Sequence, residues 1–402
     1  MKSEAYIIDG IRTPIGKLGG ILSSVRADDL AALTIKKILE RNPSIDPSKI
    51  DDVILGCANQ AGEDNRNIAR MALLLAGLPS SVPGETVNRL CASGMSSAVH
   101  ASRAVRLGDG DLYIAGGVEN MTRAPLVQSK ASSAFSGRVQ IYDSTLGWRF
   151  PNPIMKDIYG TEAMGETAEN LVEMFEISRE EQDKFSYNSQ MKAAAAQANG
   201  RLAKEIVAVE IPQRKGNAII FDKDEFVKPN TTVEILSKLK PAFRKGGSVT
   251  AGNSSGLNDG SAAMIVASEK SIKDFSLKPR AKILGSAVVG VEPRIMGIGP
   301  VNAAKKVLQS TGLTLNEVDV IELNEAFAGQ SLAVLKELKI DADDERLNPN
   351  GGAIALGHPL GMSGSRLLIT AMIELEERKA RYALCTMCIG VGQGMAAIIE
   401  RV

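Results

Sequence analysis

Cys91-Ala-Ser-Gly-Met-Ser-Ser97 and His358-Pro-Leu-Gly-Met-Ser-Gly364 stand in opposite halves of the chain and are similar to one another. A cysteine precedes one Gly-Met-Ser sequence, and a histidine precedes the other at the same offset. Each segment is followed by residues typical of a helix and then of a strand that ends in glycines. If the fold is duplicated, a pseudo-twofold axis brings the two side chains together. A thiol beside an imidazole is the pair required for nucleophilic attack on an acyl carbon.

Other segments repeat at the same large spacing. Ser48-Lys-Ile-Asp-Asp-Val-Ile-Leu55 resembles Asn316-Glu-Val-Asp-Val-Ile-Glu-Leu323, and both follow a helical pattern. The order helix, strand, helix, strand therefore recurs in two halves of well over 100 residues each. This pattern predicts an α/β fold with mostly buried sheets and helices outside them.

The predicted halves are separated by a less regular stretch. We predict an N-terminal half over residues 1–122, an inserted lid over 123–247, a return to the first half over 248–270 and a C-terminal half over 271–402. Within the lid, Ser178-Arg-Glu-Glu181 predicts a helix that begins with a capping box. The return is expected to be one strand, Val249–Ala267.

Composition excludes several classes of protein. The 402 residues include 47 Lys plus Arg and 47 Asp plus Glu, so no basic excess favours nucleic acid or an acidic membrane surface. Four cysteines do not form a disulfide framework. Residues 1–9 lead into a strand without a signal core, and no stretch is long and apolar enough to span a bilayer. We expect a soluble cytoplasmic protein.

Cys91 and His358 are the candidate nucleophile and base. Cys91 ends a strand-like run and precedes a helix, whose positive end favours a thiolate. The alternative for Cys91 is a buried structural cysteine, the interpretation we give to Cys57. His358 lies where a loop rich in glycine and proline meets a helix, whereas His100 is expected within a helix as a packed or exposed side chain.

The segment Cys385-Thr-Met-Cys388-Ile-Gly-Val-Gly-Gln-Gly394 holds the other two thiols near each other. A zinc site needs two more ligands, and no second pair of cysteines exists. We assign Cys385 to a core strand and expect Cys388 to be exposed on the glycine-rich turn. Such a turn also offers backbone N–H groups to an oxyanion. Asn324 and Glu325 follow another predicted strand and could orient a water or a histidine.

Taken together, these motifs resemble those of the thiolase family over essentially the whole chain. The matching segments are 88–91, 116–125, 250–260, 324–328, 357–361 and 388–390. The resemblance implies a five-layered αβαβα core made of duplicated α/β halves, with an inserted lid. It also implies acyl transfer between a cysteine and coenzyme A by a ping-pong mechanism, without a metal or a tightly bound cofactor.

The resemblance implies a role for each candidate residue. Cys91 takes the acyl group, and His358 activates Cys91 and later the thiol of coenzyme A. Cys388 acts as acid and base on the acetyl α-carbon. Asn324 holds a water that forms one oxyanion hole with His358, and the N–H groups of Cys91 and Gly390 form the other.

Coenzyme A is thereby expected to bind as a substrate at five further positions. Ser255 lies near the pantetheine and Phe243 near the adenine end, while Met164 and Ala326 line the tunnel. Lys228 contacts the nucleotide phosphates, at a position where the family often has arginine.

The substrate is less directly implied. Thiolases specialised for acetoacetyl-CoA usually have a histidine where this chain has Ala163. The segments 144–153 and 385–394 instead resemble thiolases that cleave 3-oxoadipyl-CoA to succinyl-CoA and acetyl-CoA. Arg149 is the candidate partner for the free carboxylate of that substrate. Alternatively, Arg149 packs the lid or ties it to a neighbouring subunit.

Other functions stay open on the sequence. They are a thiolase of neutral 3-oxoacyl-CoA substrates, including acetoacetyl-CoA, a non-catalytic thioester carrier and a decarboxylating condensing enzyme. The intact set Cys91, His358, Asn324 and Cys388 argues against a carrier, and Cys388 argues against a condensing enzyme. The family resemblance also implies a homotetramer in which the lid makes contacts between dimers.

Overall fold

Helices and strands alternate along the chain. The computed structural model describes residues 4–137 and 139–402, so Met1–Ser3 of the predicted N-terminal half and Arg138 of the predicted lid lie outside the described residues. The strands are β1 (Tyr6–Arg12), β2 (Gly16–Lys17), β3 (Asp52–Gly56), β4 (Gly84–Val87), β5 (Leu112–Asn120), β6 (Leu126–Gln128), β7 (Ile141–Asp143), β8 (Val209–Ile211), β9 (Ile219–Phe221), β10 (Asn258–Ala267), β11 (Ala281–Gly290), β12 (Val320–Leu323), β13 (Tyr382–Ile389) and β14 (Gln393–Arg401). The α-helices are α1 (Ala27–Arg41), α2 (Ile68–Leu75), α3 (Ser93–Leu107), α4 (Pro153–Tyr159), α5 (Met164–Met174), α6 (Arg179–Ala198), α7 (Val233–Ser237), α8 (Glu269–Asp274), α9 (Gly299–Thr311), α10 (Ala328–Leu338), α11 (Ala353–Leu356) and α12 (Leu360–Arg378).

The main sheet is built from two arms with the same pattern of pairing. Its order is β12-β13-β14-β11-β1-β10-β5-β3-β4, and β2 pairs with β10. In one arm β3 and β5 are parallel, and β5–β10 and β10–β1 are antiparallel. In the other arm β12 and β13 are parallel, and β13–β14 and β14–β11 are antiparallel. The arms join where β1 pairs with β11, so the pairing itself displays the predicted duplication.

Helices cover both arms and also separate them. One buried apolar cluster joins α1 and α2 to the outer face of the N-terminal arm. A second joins α9 and α10 to the outer face of the C-terminal arm, and a third surrounds α3 and α12 between the arms. The predicted five-layered αβαβα arrangement is confirmed, with the apolar core divided among three clusters.

The central helices α3 and α12 approach each other at glycines. A Cβ atom at Gly364 would lie 2.5 Å from Met95 N, and one at Gly94 would lie 2.6 Å from Gly361 O. Only glycine allows the two backbones to come this close. The segments that begin with Cys91 and His358 are therefore packed against one another.

The inserted stretch 123–247 adds two small sheets, β6–β7 and β8–β9, and the helices α4–α7. The helix α6 begins with the predicted capping box, in which Ser178 Oγ accepts the Glu181 N–H and Glu181 accepts the Ser178 N–H. None of the described helices is both long and apolar enough to cross a lipid bilayer.

Two predicted strands are shorter than expected. Residues 249–257 form a loop, in which the side-chain Oδ1 of Asn253 accepts the Thr250 N–H at 2.7 Å, and the strand begins only at Asn258. Small side chains that hydrogen-bond to the nearby backbone compete with the sheet ladder here. The run before Cys91 is also not a continuous strand, because β4 ends at Val87 and Cys91 lies in a 3₁₀ turn, Leu90–Ala92.

Candidate active site

Cys91 is presented by a strained turn at the start of α3. The preceding residue, Leu90, has φ of 47°, in the left-handed region that leucine rarely adopts. Side chains fix this conformation: Asn88 Oδ1 accepts the Leu90 N–H at 2.8 Å, and Ser93 Oγ donates to Leu90 O at 2.7 Å. The turn packs against α12 and the end of β13, so it meets elements from the other half of the chain.

The Cys91 thiol is held in its neutral form. Burial raises its pKa to about 11, although the N–H groups of Gly390 and of Cys91 itself lower it. The expectation of a helix-stabilised thiolate is therefore wrong, because loss of hydration outweighs the backbone donors. The two N–H groups directed at this sulfur are the same pair that the family resemblance assigns to an oxyanion hole.

His358 is buried and oriented from both sides. Its N–H donates to Asn258 Oδ1 at 3.0 Å, and its Nδ1 lies 2.6 Å from Ser363 Oγ. The Ser363 hydroxyl donates its one proton to Pro359 O at 2.8 Å, so it accepts the Nδ1–H of His358. This assignment leaves Nε2 unprotonated and able to act as a base. Burial and the positive charge of Arg366 lower the pKa of His358 to about 3.

Asn324 places an amide beside the imidazole. It follows β12 directly, and its N–H donates to Thr386 O at 3.0 Å. Its Nδ2 lies 3.4 Å from His358 Nε2, and its Oδ1 is buried without a hydrogen-bond partner among the described residues. The neighbouring Glu325 accepts from Ser189 Oγ, at 2.6 Å, and from Asn348 Nδ2, so it braces the loop.

The prediction that Cys388 is exposed is wrong. Cys388 lies within β13 and is buried, because the turn begins only after Ile389. Burial, reinforced by the nearby Cys91 sulfur, raises the pKa of Cys388 well above its usual range. The thiol therefore stays protonated and can donate a proton. Cys385 is buried in the same strand, as predicted, and Cys57 is buried near β3.

Four predicted coenzyme A positions form one strip that ends at Gly390. The rings of Phe243 and Phe327 meet edge to face at 6.0 Å, and the ring of Phe243 covers Gly165, next to Met164. The sulfur of Met164 lies 3.7 Å from the position of a Cβ at Gly390. The N–H of Ser255 donates to Ala326 O at 2.9 Å, which joins the fourth position to the strip.

Lys228 lies beyond this strip. Its Nζ is 4.8 Å from the centre of the Phe226 ring, and that ring packs against Gly256. Lys228 is exposed and stands one aromatic ring away from the loop that contains Ser255.

Arg149 joins the predicted lid to the N-terminal half of the same chain. Its Nη2 donates to Asn59 O at 2.9 Å, and its Nη1 donates to Ser144 O at 3.3 Å. It is partly exposed. Ala163 is the residue before α5 and is exposed.

Four site residues were not identified from the sequence: Asn88, Glu119, Asn258 and Ser363. All four stand in motifs that resemble the family's or adjoin them. Ser363 could have been identified, since a hydroxyl five residues after a histidine at a helix start can reach the ring. Asn258 and Glu119 act on residues more than 90 positions away, which local spacing does not reveal.

The site combines a thiol, a neutral imidazole, a second protonated thiol and backbone donors. This combination can attack a thioester or ketone carbon, protonate a carbanion and stabilise an oxyanion.

Comparison with known proteins is consistent with this geometry. Residues 5–270 match the family model described as Thiolase, N-terminal domain, and residues 277–401 match that described as Thiolase, C-terminal domain. The chain is 60% identical to a 3-oxoadipyl-CoA/3-oxo-5,6-dehydrosuberyl-CoA thiolase of Escherichia coli (strain K12), over 99% of this chain and 100% of that protein. It is 59% identical, with the same coverage, to a beta-ketoadipyl-CoA thiolase of Escherichia coli. The crystal structure of a Bacillus anthracis acetyl-CoA acetyltransferase has a TM-score of 0.93 and 40% identity, covering 100% of this chain and 99% of that one.

Proposed function

Since the chain belongs to the thiolase family, we propose that it cleaves 3-oxoadipyl-CoA with coenzyme A to give succinyl-CoA and acetyl-CoA. One observation carries the proposal. The Gly390 N–H is directed at the Cys91 sulfur, and the turn that contains Cys91 packs against α12, which follows His358, and against β13, which contains Cys388. The names of the two Escherichia coli relatives support this substrate.

In the first half-reaction, Nε2 of His358 takes the proton of Cys91 as its sulfur attacks C3 of the substrate. The C2–C3 bond then breaks, which leaves a succinyl thioester on Cys91 and the enolate of acetyl-CoA. Cys388 gives its proton to C2 of the enolate, and acetyl-CoA leaves. The high pKa of Cys388 suits this step, because a carbanion needs a donor that is protonated at neutral pH.

In the second half-reaction, the imidazolium proton returns to the Cys388 thiolate, so that His358 can accept the proton of coenzyme A. The coenzyme A sulfur attacks the succinyl carbonyl carbon, and the bond to Cys91 breaks. His358 then returns its proton to the Cys91 sulfur. One oxyanion is stabilised by the N–H groups of Cys91 and Gly390, and the other by His358 with a water held by Asn324.

Coenzyme A is proposed to lie along the strip of Phe243, Met164, Ala326 and Ser255. Phe243 is 39% exposed, which leaves its ring available to the adenine end. Lys228 is exposed and lies one aromatic ring beyond the loop of Ser255, and its positive charge is proposed to contact the nucleotide phosphates. No metal or tightly bound cofactor takes part in these steps.

Arg149 is proposed to bind the terminal carboxylate of the substrate. Asn59, whose carbonyl oxygen it contacts, follows Ala58, and Ala58 O accepts from Asn88 of the turn that presents Cys91. The guanidinium is thus connected to the turn that presents Cys91 through the backbone of residues 58–59 and the side chain of Asn88. A carboxylate would replace one neutral carbonyl acceptor by a charged one, which strengthens the hydrogen bond.

A homotetramer in the cytoplasm is the proposed state of the protein. Large apolar side chains are exposed on the lid, namely Leu126, Phe135, Ile141, Ile154 and Ile158. If these side chains form a continuous patch in the folded lid, another subunit is expected to cover it. The four cysteines are free, which fits a reducing compartment. Light scattering coupled to size-exclusion chromatography tests the tetramer, and a monomer at micromolar concentration would contradict it.

A substrate panel tests the proposed reaction. Purified protein is assayed with 3-oxoadipyl-CoA, acetoacetyl-CoA and a longer neutral 3-oxoacyl-CoA, each with free coenzyme A, and Cys91→Ala is the inactive control. We expect the highest kcat/KM with 3-oxoadipyl-CoA. A higher kcat/KM with a neutral substrate would favour a thiolase of β-oxidation or acetoacetyl-CoA metabolism instead.

Arg149→Ala tests the proposed carboxylate contact. We expect kcat/KM for 3-oxoadipyl-CoA to fall roughly 10- to 100-fold, as for the loss of a charge-assisted pair of about 1.5–3 kcal/mol. Turnover of acetoacetyl-CoA should change much less. Arg123→Ala is the matched control, since Arg123 ties the start of the lid to Glu63 and to Ser23 O. Equal losses for both substrates would show that Arg149 only holds the lid.

A further inference from the structure

We propose that Glu119 is a positioning residue for acyl transfer, because its carboxylate joins the turn that carries Cys91 to the helix that follows His358. The proposal rests on the roles proposed above for Cys91 and His358. These side chains come from different halves of a duplicated fold, so their separation depends on whatever holds the halves in register.

Glu119 lies near the end of β5 and is 1% exposed. Its Oε2 accepts the Gly361 N–H at 2.8 Å and the Ala58 N–H at 3.0 Å, and its Oε1 accepts the Asn59 N–H at 3.1 Å. One carboxylate is thus hydrogen-bonded to the backbone of both halves.

The link to the nucleophile has two further steps. Ala58 O accepts from Asn88 Nδ2 at 3.0 Å, and Asn88 Oδ1 accepts the Leu90 N–H at 2.8 Å. Leu90 is the residue whose left-handed backbone places Cys91. A displacement of Ala58 would therefore be passed to the turn through two hydrogen bonds.

The link to the base is direct. Gly361 is the second residue of α12 and stands three positions after His358. Its N–H is one of the first-turn donors that has no partner within the helix, and a carboxylate is the acceptor that the positive end of a helix favours. A Cβ at Gly361 would lie 2.5 Å from Val118 O, so this end of α12 rests on β5 itself.

Backbone N–H groups surround the carboxylates near Glu119. Cys57, Asp64 and Glu119 have potential ligand atoms within 4.8 Å of one another, the spacing of a metal site. However, Asp64 accepts the N–H groups of Gln60 and Gly62, and Glu119 accepts three more. These donors already use the oxygens that a cation would need. Burial raises the pKa of Glu119 to about 7, while the N–H groups of Ala58, Gly361 and Asn59 oppose that rise.

Glu119→Gln tests the positioning role. The amide keeps the size of the side chain, but its NH₂ group must face either the Asn59 N–H or the N–H groups of Ala58 and Gly361, so at least one hydrogen bond to the N-terminal half is lost. We expect kcat and the single-turnover rate of Cys91 acylation to fall together, roughly 10- to 100-fold, as misplaced reacting groups require. The Kd of coenzyme A, measured by calorimetry, should stay within about threefold, since the strip from Phe243 to Ser255 is not in the chain of bonds.

Asp64→Asn is the matched control. It makes the same carboxylate-to-amide change within the same buried cluster, but the hydrogen bonds of Asp64 come from Cys57, Gln60 and Gly62 rather than from α12 or Asn88. We expect it to lower the melting temperature comparably and to keep kcat within about threefold of the wild type. Glu119→Gln with the kcat of Asp64→Asn would overturn the proposal.

A second variant covers the case in which Glu119→Gln does not fold. Asn88→Ala removes the side chain that connects Ala58 to Leu90. Because Asn88 is exposed, we expect this variant to fold and to show the same selective loss of acylation rate. Wild-type acylation by Asn88→Ala would contradict the link. If instead the wild type itself transfers no acyl group to coenzyme A, the proposed function fails rather than the positioning role.

Discussion

A single hydroxyl orients the imidazole of His358. Ser363 Oγ accepts a hydrogen bond from the Nδ1–H and donates one to Pro359 O, so it fixes the tautomer in which Nε2 is the base. Ser363→Ala should lower kcat/KM roughly 10- to 100-fold, part of the 10²–10⁴ that a general base contributes. Steady-state kinetics measure this loss. Ser365→Ala is the control, because Ser365 is buried in the same helix and its Oγ has no hydrogen-bond partner among the described residues. Equal effects of both substitutions would show that the loss arises from packing.

The neutral state of Cys91 gives a prediction about pH. With a pKa of about 11, only about one thiol in ten thousand is ionised at pH 7 in the free enzyme. The rate of alkylation by iodoacetamide should therefore keep rising tenfold per pH unit up to at least about pH 9.5. Cys91→Ala gives the background from the three buried thiols. A plateau below pH 8 would mean that the helix start outweighs burial after all.

These residues show what sequence can reveal about the site. The types of residue were accessible, because a thiol and an imidazole in matching motifs already indicate acyl chemistry. The protonation states of these residues could not be predicted, since they depend on burial by segments distant in sequence. Cys388 illustrates this: its glycine-rich surroundings suggested exposure, but β13 continues through it and Met164 of the lid approaches the turn that follows.

The crossing of α3 and α12 sets the geometry at the scale of elements. Gly364→Ala would place a Cβ 2.5 Å from Met95 N, and the backbone of a packed helix cannot yield. We expect a loss of about 1–3 kcal/mol, measured by urea unfolding, because overpacking exceeds the gain in helix propensity. Activity should fall as well, since the same crossing sets Cys91 relative to His358. Gly290→Ala is the control, because a Cβ there meets only Gly392 O at 4.0 Å. Equal stability of the two variants would contradict the close crossing.

The elements were predicted well where local chemistry decides them. The capping box at Ser178 formed as expected, since its four residues contain both partners. Residues 249–257 were misjudged because apolar residues farther along suggested one long strand. Their Asn and Ser side chains in fact bond to the adjacent backbone. The pairing of β1 with β11 could not be predicted, since it joins positions about 275 apart through a short stretch of ladder.

The whole molecule is joined to its lid by buried charges. Arg12 of β1 donates to Glu205 at 2.7 Å and makes a bidentate pair with Asp224, and all three side chains are fully buried. Glu205 also pairs with Arg201, which in turn pairs with Glu374 of α12. The apolar cluster beneath β8 and β9 is small by comparison with the three core clusters. The lid is therefore held by these buried charge pairs in addition to the apolar contacts that α5 and α6 make with the core clusters.

Removing one charge from this network should loosen the lid. Arg12→Met keeps an apolar stem but leaves buried carboxylates without their main partner, which typically costs about 3–5 kcal/mol. Burial raises the pKa of Glu205, but Arg12 and Arg201 overcome this and hold it below its ordinary value of 4.5. The paired carboxylate thus stabilises the fold above that pH, and its contribution is lost as the pH falls through the lower, folded-state pKa. The difference between Arg12→Met and wild type should accordingly be largest near neutral pH and shrink in acid. Urea unfolding at several pH values, with limited proteolysis of residues 123–247, measures both effects.

Lys204→Met is the control, because the pair of Lys204 with Glu377 is about half exposed and its loss should cost less than about 1 kcal/mol. If Arg12→Met were no less stable than Lys204→Met at pH 7, apolar contacts alone would have to hold the lid.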